Sequence, residues 1–232
     1  MSGHLNPGGQ QFRDDNGAAD PRVRKALAAY VAGEGSEQAA LSALSAARLL
    51  VPVVAILADG SAPGGAHGDK NSEMVLPTLI GQDGRPAVLA FTCLDALTRW
   101  RPNARPVPAE ADRVWRAAVA DGCAVVIDVA GPVPLAVEGA RLDALAGGQP
   151  VPPPHEDPDV RAAVEAALAA EPTIAGFSLT ASSTDGTDLA IRLSLAVRDW
   201  EPVVDRAASS IAARLAGRLR RGIEFSVAAA PR

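Results

Sequence analysis

The chain has 232 residues, 48% hydrophobic and only 3% aromatic, with a net charge of −5 and a pI near 5.2. That length can bury one large core or two modest ones, built of Ala, Val and Leu in place of aromatic rings. The acidic balance argues against a nucleic-acid partner or an anionic membrane surface, and no apolar run reaches membrane-spanning length.

The two cysteines, Cys93 and Cys123, form no disulfide framework and suit a reducing compartment. The first twenty residues contain no apolar stretch of signal-peptide length, so a cytoplasmic protein is expected. Rich in Gly, Asn, Gln and Asp, residues 1–20 read as a disordered tail.

Asp20-Pro21 starts a helix, because Asp is favoured at the cap and Pro in the first turn. Val23, Leu27, Tyr30 and Val31 form its apolar stripe, and Gly33 ends it. A second helix opens at Ser36 and turns Leu41, Leu44 and Ala47 inward. Leu49–Ala58 is a continuous aliphatic run, read as a strand covered on both faces. The loop 59–72 contains glycines and Lys70, but Asp69 breaks the Gly-Lys-Ser/Thr spacing of a phosphate loop and a strand follows. A plain connection is the reading there.

The most legible stretch runs from Glu73 to Trp100. Met74–Ile80 and Ala87–Phe91 are strands around a turn in which Asp83-Gly84 supplies positive φ. Thr92 is expected to cap the next helix, with Asp95 as its reciprocal partner and Leu94, Leu97 and Trp100 on one face. Arg101–Pro108 reads as a proline-punctuated connection, and Ala109–Asp121 as a helix closed by Gly122 with Val114, Trp115 and Ala118 inward. Ala124–Val129 is a buried strand, Gly131-Pro132 a turn, Val133–Val137 a strand and Gly139–Leu145 a short helix.

Three consecutive prolines make 149–157 a linker between a larger α/β domain, 21–148, and a smaller one, 158–232. The smaller domain runs helix, two strands around Thr184–Thr187, long helix and final strand, with Val203, Ala207, Ile211 and Leu215 inward on the long helix. The fold class is therefore α/β (α+β), a mixed sheet flanked by helices followed by a compact α-β-β-α-β unit.

Chemistry is harder to find. Cys93 and Arg99 have C-x5-R spacing, but the residues between them have helical apolar spacing and no glycine for an anion-cradling nest. An ordinary half-buried cysteine fits better. His4, His67 and His155 share no ligand spacing with one another or with cysteine, so neither a metal nor a cofactor is expected. His155-Glu156-Asp157 reads as a solvated turn. Asp128, before the Gly131-Pro132 turn, fits a residue that caps backbone amides. Arg214, Arg218, Arg220 and Arg221 offset the partial negative charge at the end of the last helix, with a small basic patch as the alternative.

Lys70-Asn71-Ser72-Glu73-Met74, Pro77-Thr78-Leu79, Asp83-Gly84-Arg85, Phe91-Thr92 and Trp100 occur in an order that resembles the N-terminal domain of the enhanced-serine-sensitivity protein B (SseB) family. Arg105-Pro106-Val107-Pro108 and Asp128-Val129-Ala130-Gly131-Pro132 extend the resemblance, which covers roughly Leu49–Leu145. Family members often carry a second α+β domain, whose place residues 158–232 would occupy. Where the family usually has Ser after Phe-Thr, this chain has Cys93. The resemblance implies a link to serine sensitivity without an established reaction, and it marks Lys70, Ser72, Glu73, Arg105 and Asp128 as the shared polar positions. Together these readings lead us to expect a non-enzymatic binding or regulatory protein whose partner is a protein or a small metabolite. The alternative is a sulfurtransferase-like enzyme or accessory that uses Cys93.

Overall fold

A computed structural model of the chain describes residues 12–13, 15–57, 72–81, 84–131, 134–184, 186–196, 199–216 and 218–229, with 55–57 and 72–74 described by their backbone alone. Helices α1 (Pro21–Val31) and α2 (Glu37–Ser45) precede strands β1 (Arg48–Leu57), β2 (Ser72–Val75), β3 (Thr78–Ile80) and β4 (Pro86–Ala90). There follow α3 (Leu94–Trp100), β5 (Arg105–Glu110), α4 (Ala111–Ala120), β6 (Ala124–Ile127), β7 (Leu135–Val137) and α5 (Gly139–Ala146). The order closes with α6 (Pro158–Leu168), β8 (Ile174–Thr180), β9 (Leu189–Leu195), α7 (Glu201–Leu215) and β10 (Ile223–Ala229). This is an α+β fold with parallel and antiparallel pairs in its sheets. The loop 59–71 considered for phosphate lies outside the described residues.

The chain divides into two units. The first contains the described residues up to Val23 and Ser45–Glu138. Its centre is β1, where Leu49, Leu50, Val51 and Val54 are all buried, as expected of a strand covered on both faces. One half of β1 pairs antiparallel with β5 and the other half with β2. Leu50 and Phe91 exchange two backbone hydrogen bonds of 2.8 Å, joining β1 to the end of β4. A second sheet runs β3-β4-β6-β7, in which only β4 and β6 are parallel. Trp115 on α4 is fully buried and is the largest such side chain.

Two expectations change here. The run Met74–Ile80 is not one strand. It breaks at Leu76-Pro77, so that β2 pairs with β1 and β3 pairs with β4. The proline-punctuated stretch after α3 is not a connection but becomes β5, and α4 begins only at Ala111. Pro106 and Pro108 lack amide donors, yet they are tolerated because β5 is an edge strand, bonded on one side only.

The second unit contains Arg24–Leu44 and Gly139–Arg232. Its sheet, ordered β10-β9-β8, has β8 antiparallel and β10 parallel to β9, with α7 as the crossover. Val160 and Val164 of α6, Ile191 and Leu193 of β9, and Ala207 and Ile211 of α7 form its core at 0% exposure. The division differs from a cut at the proline run. Val151 is buried and its carbonyl accepts from Gln38 Nε2 at 2.9 Å. Asp157 is not a solvated turn residue. At 1% exposure it caps α6, accepting from Asp159 N at 2.8 Å and Val160 N at 3.4 Å.

Asp157 also belongs to a buried ionic chain. Arg218 donates to Asp157 at 2.6 Å and lies 3.5 Å from Glu37, and Arg141 pairs with the other oxygen of Glu37. Burial pushes the Glu37 carboxyl above the usual range, against the pull of Arg141 and Arg218. Arg220 lies over the Tyr30 ring at 4.9 Å and Arg221 pairs with Asp188 at 2.8 Å. Three of the four C-terminal arginines are thus engaged within the unit, and only Arg214 stays in the helix's last turn as expected.

Removing one member of the buried chain leaves an uncompensated charge. Glu37→Ala should lower stability in urea titrations by about 3–5 kcal/mol, whereas Glu37→Leu combined with Arg141→Met should recover most of that loss.

Candidate functional site at the ends of the parallel strands

In open sheets, ligands collect beyond the carboxyl ends of parallel strands, and here that place is the end of β4 and β6. After β6 the backbone of Asp128 turns into the left-handed region at φ 49°, which Asp and Asn tolerate better than most residues. Its amide donates to Ala90 O at 3.0 Å, and its carbonyl accepts from Gly131 N at 2.7 Å. A Cβ on Gly131 would sit 2.9 Å from that carbonyl oxygen, so the turn needs glycine.

The Asp128 carboxylate reaches across to the end of β4. It accepts from the Thr92 amide at 2.8 Å and bonds the Thr92 hydroxyl at 2.6 Å, with both residues 7% exposed. Burial pushes the Asp128 carboxyl above its usual range, while the two Thr92 donors and the charge of Arg99 pull it down. Asp128 therefore satisfies a backbone amide, as its position before the turn suggested. The partner is the residue that the sequence assigned to a helix cap.

That reassignment changes α3. Cys93 is its N-cap, extended at φ −150° and ψ 166°, with no side-chain cap bond. The capping box of Thr92 and Asp95 does not form, because Asp128 holds the Thr92 hydroxyl. Ala96 and Leu97 face inward, Trp100 is half-buried with its ring centroid 5.6 Å from Phe91, and Leu94 is 41% exposed. The five residues between Cys93 and Arg99 are regular helix, which does not curl around an anion.

Leu94 turns instead toward the N-terminal segment, where its amide donates to Gly17 O at 2.8 Å. Arg48 fixes that segment, pairing with Asp15 at 2.7 Å and donating to Thr92 O at 3.0 Å. Residues 15–18 therefore follow a fixed path against β1 and α3, which their polar composition gave no sign of. Phe12, Leu50, Leu94, Pro106 and Pro108, with Asp15, Asn16 and Gly17 of the segment itself, line a shallow cleft of about 330 Å³.

Of the five polar positions shared with the resembled family, only Arg105 and Asp128 have described side chains. Lys70 lies outside the described residues. Ser72 and Glu73 stand on β2 opposite Leu57 and Ile56, and only their backbone is described. Arg105 is exposed on β5 opposite Val53, on the other edge of β1. Asp128 lies in the turn that follows β6 of the second sheet. Sequence reading missed Asp15, Arg48 and Thr92 as the partners that shape this corner, and no local spacing signals pairings 33 and 36 residues apart. Among the described residues no three His, Cys, Asp or Glu side chains group as metal ligands, and no helix is long and apolar enough to cross a membrane.

A family model described as the SseB protein N-terminal domain matches residues 23–144. No curated protein and no solved structure matches the chain.

Asp128→Ala would leave the buried Thr92 amide without an acceptor and should cost about 1–3 kcal/mol in denaturant titrations. Asp128→Asn keeps both partners and suits the left-handed backbone, so its cost should be well below that. Because the folded carboxyl titrates above the unfolded one, its stabilising contribution is complete below the ordinary carboxylate range and is lost as pH rises through the folded value. The melting temperature of wild type should therefore fall relative to that of Asp128→Asn as pH is raised from the acid side.

Proposed function

The chain belongs to the SseB family, and we propose that it is a non-enzymatic cytoplasmic protein that binds a partner, a protein or a small metabolite, in a regulatory role. The support is the division of labour at the corner between β4 and β6. Its polar groups, the buried Asp128 and Thr92 and the half-buried Arg48, are each committed to the fold, while the wall of the cleft offers apolar surface outward through Leu94. A shallow, largely apolar cleft whose one carboxylate, Asp15, is already paired with Arg48 suits recognition by shape and burial more than bond-making. The link to serine sensitivity comes from the family name alone.

Cys93 is the one feature that favours a second reading, a sulfurtransferase-like role, since it is half-exposed at a helix start. No basic or acidic side chain bonds its sulfur among the described residues.

The readings separate in one experiment with two variants. Leu94→Asp should reduce capture of the native partner from lysate by about tenfold, as burying a charge in an apolar contact would. Cys93→Ser should capture it as wild type does, and Cys93 should carry no persulfide by mass spectrometry after incubation with thiosulfate. Loss of function in Cys93→Ser together with a persulfide on Cys93 would replace the binding reading with the enzymatic one.

A further inference from the structure

Among the described strands, every sheet edge but one carries a device that discourages further pairing. β3 and β7 are three residues long and β2 is four. β5 carries Pro106 and Pro108, and β8 breaks register with β9 between Ile174 and Gly176. Sheets blunt their edges in these ways because an open edge presents unpaired N–H and C=O groups to any other strand. β10 has none of these features. It runs seven residues, Ile223–Ala229, in unbroken parallel register with β9, and among the described residues no strand lies on its other side. Its sequence, Ile-Glu-Phe-Ser-Val-Ala-Ala, contains no Pro, Lys or Arg.

Apolar surface continues from this edge. Register pairs Ile223, Phe225 and Val227 with Leu189, Ile191 and Leu193, so all six point to the face covered by α6 and α7. On β9 that row is fully buried, but on β10 Phe225 is half-buried and Val227 is 37% exposed. Ile223 and Phe225 form one side of a groove of about 730 Å³, walled also by Ala208 and Ala212 of α7 and by Val31 at the end of α1. Arg220 is the single charged side chain in its lining. The core of the second unit thus stops short of covering its last strand.

The strand is also complementary to itself. Laid antiparallel to a second β10 about a two-fold axis through Ser226, it pairs all seven of its residues. Phe225 of one copy then stands opposite Val227 of the other, and Ile223 opposite Ala229, all on the apolar face. Glu224, the one charge on the strand, falls opposite Ala228 and away from its own copy. Its carboxylate is already held by the hydroxyls of Ser182 and Thr184, each at 3.0 Å. A register centred on any other residue leaves an end unpaired, and one centred on Glu224 sets two carboxylates face to face. We propose that two copies of this chain join at β10 in the Ser226-centred register, giving one six-stranded sheet that covers Phe225 and Val227. A second copy is favoured over a foreign strand because the edge itself supplies both halves of every apolar pair and leaves no charge unmatched. The inference is independent of the cleft reading, which concerns the other unit.

Analytical ultracentrifugation of the full chain tests this. Wild type at about 100 μM, well above a micromolar Kd, should sediment at twice the 23.7 kDa mass of one chain. Ser226→Lys sets two lysines against each other across the axis, and Val227→Lys places a charge inside the joint. Each should weaken self-association by about tenfold. Both residues are exposed on the single chain, so the variants should keep the wild-type circular dichroism spectrum. Mixing Ser226→Lys with Ser226→Glu in equal amounts should restore the double-mass species, which a merely damaged strand would not do. A wild-type chain that stays monomeric would overturn the proposal, as would a different protein crosslinked to this edge in lysate in place of a second copy. A dimer that neither lysine variant weakens, or that the mixture fails to restore, would overturn it too.

Discussion

The bond between Asp128 and Thr92 fixes the part of the first unit on which the cleft and its rim depend. It ties together the ends of the only parallel strand pair in that sheet, settles where α3 begins, and so decides which face of that helix is buried. Without this pair the Thr92 hydroxyl would be free to cap the helix, and Leu94 would be the natural inward residue. With it, Leu94 turns out toward Gly17 and becomes the wall of the cleft. A buried carboxylate aimed at a backbone amide is costly to desolvate and is retained here because it satisfies a donor that nothing else reaches.

How much of this was legible depended on how local each cause is. The aliphatic run of β1, the Asp20-Pro21 helix start, the buried stripe of α7 and the α-β-β-α-β order after the prolines all follow from period and capping, which neighbouring residues determine. β5 was missed because its prolines argue against a strand, and only the strand's place at a sheet edge removes that objection. The role of Thr92 was missed for a different reason. A threonine before an apolar helix carries the signature of a cap, and the competing acceptor lies 36 residues later in the sequence. The order of the segment from Asp15 was invisible because it comes from Arg48, not from any apolar content of its own. The site was therefore less readable than the fold. The five shared polar positions were marked by resemblance, and resemblance carries no information on whether they converge.

The matched family domain, residues 23–144, does not coincide with either structural unit. It includes the whole of β1 to β7 from the first unit. It also takes in α2 and the start of α5, which belong to the second unit. A sequence boundary marks what is shared between relatives, whereas a structural boundary marks what buries its apolar surface together, and the two need not agree. In this chain the difference falls on charged residues, since Glu37 and Arg141 lie inside the match and Arg218 and Asp157 lie outside it.

That arrangement has a consequence for how the polypeptide is made. α2 leaves the ribosome well before its partners, since Glu37 finds Arg141 only 104 residues later and Arg218 later still. Until then the carboxylate and the apolar face beside it have no settled place. Local helices can form during translation, but closure over such separations is slow and leaves apolar surface open in the meantime. The second unit must therefore wait until Arg218 has been made, and the helix that carries Glu37 is a natural client for chaperones in the meantime.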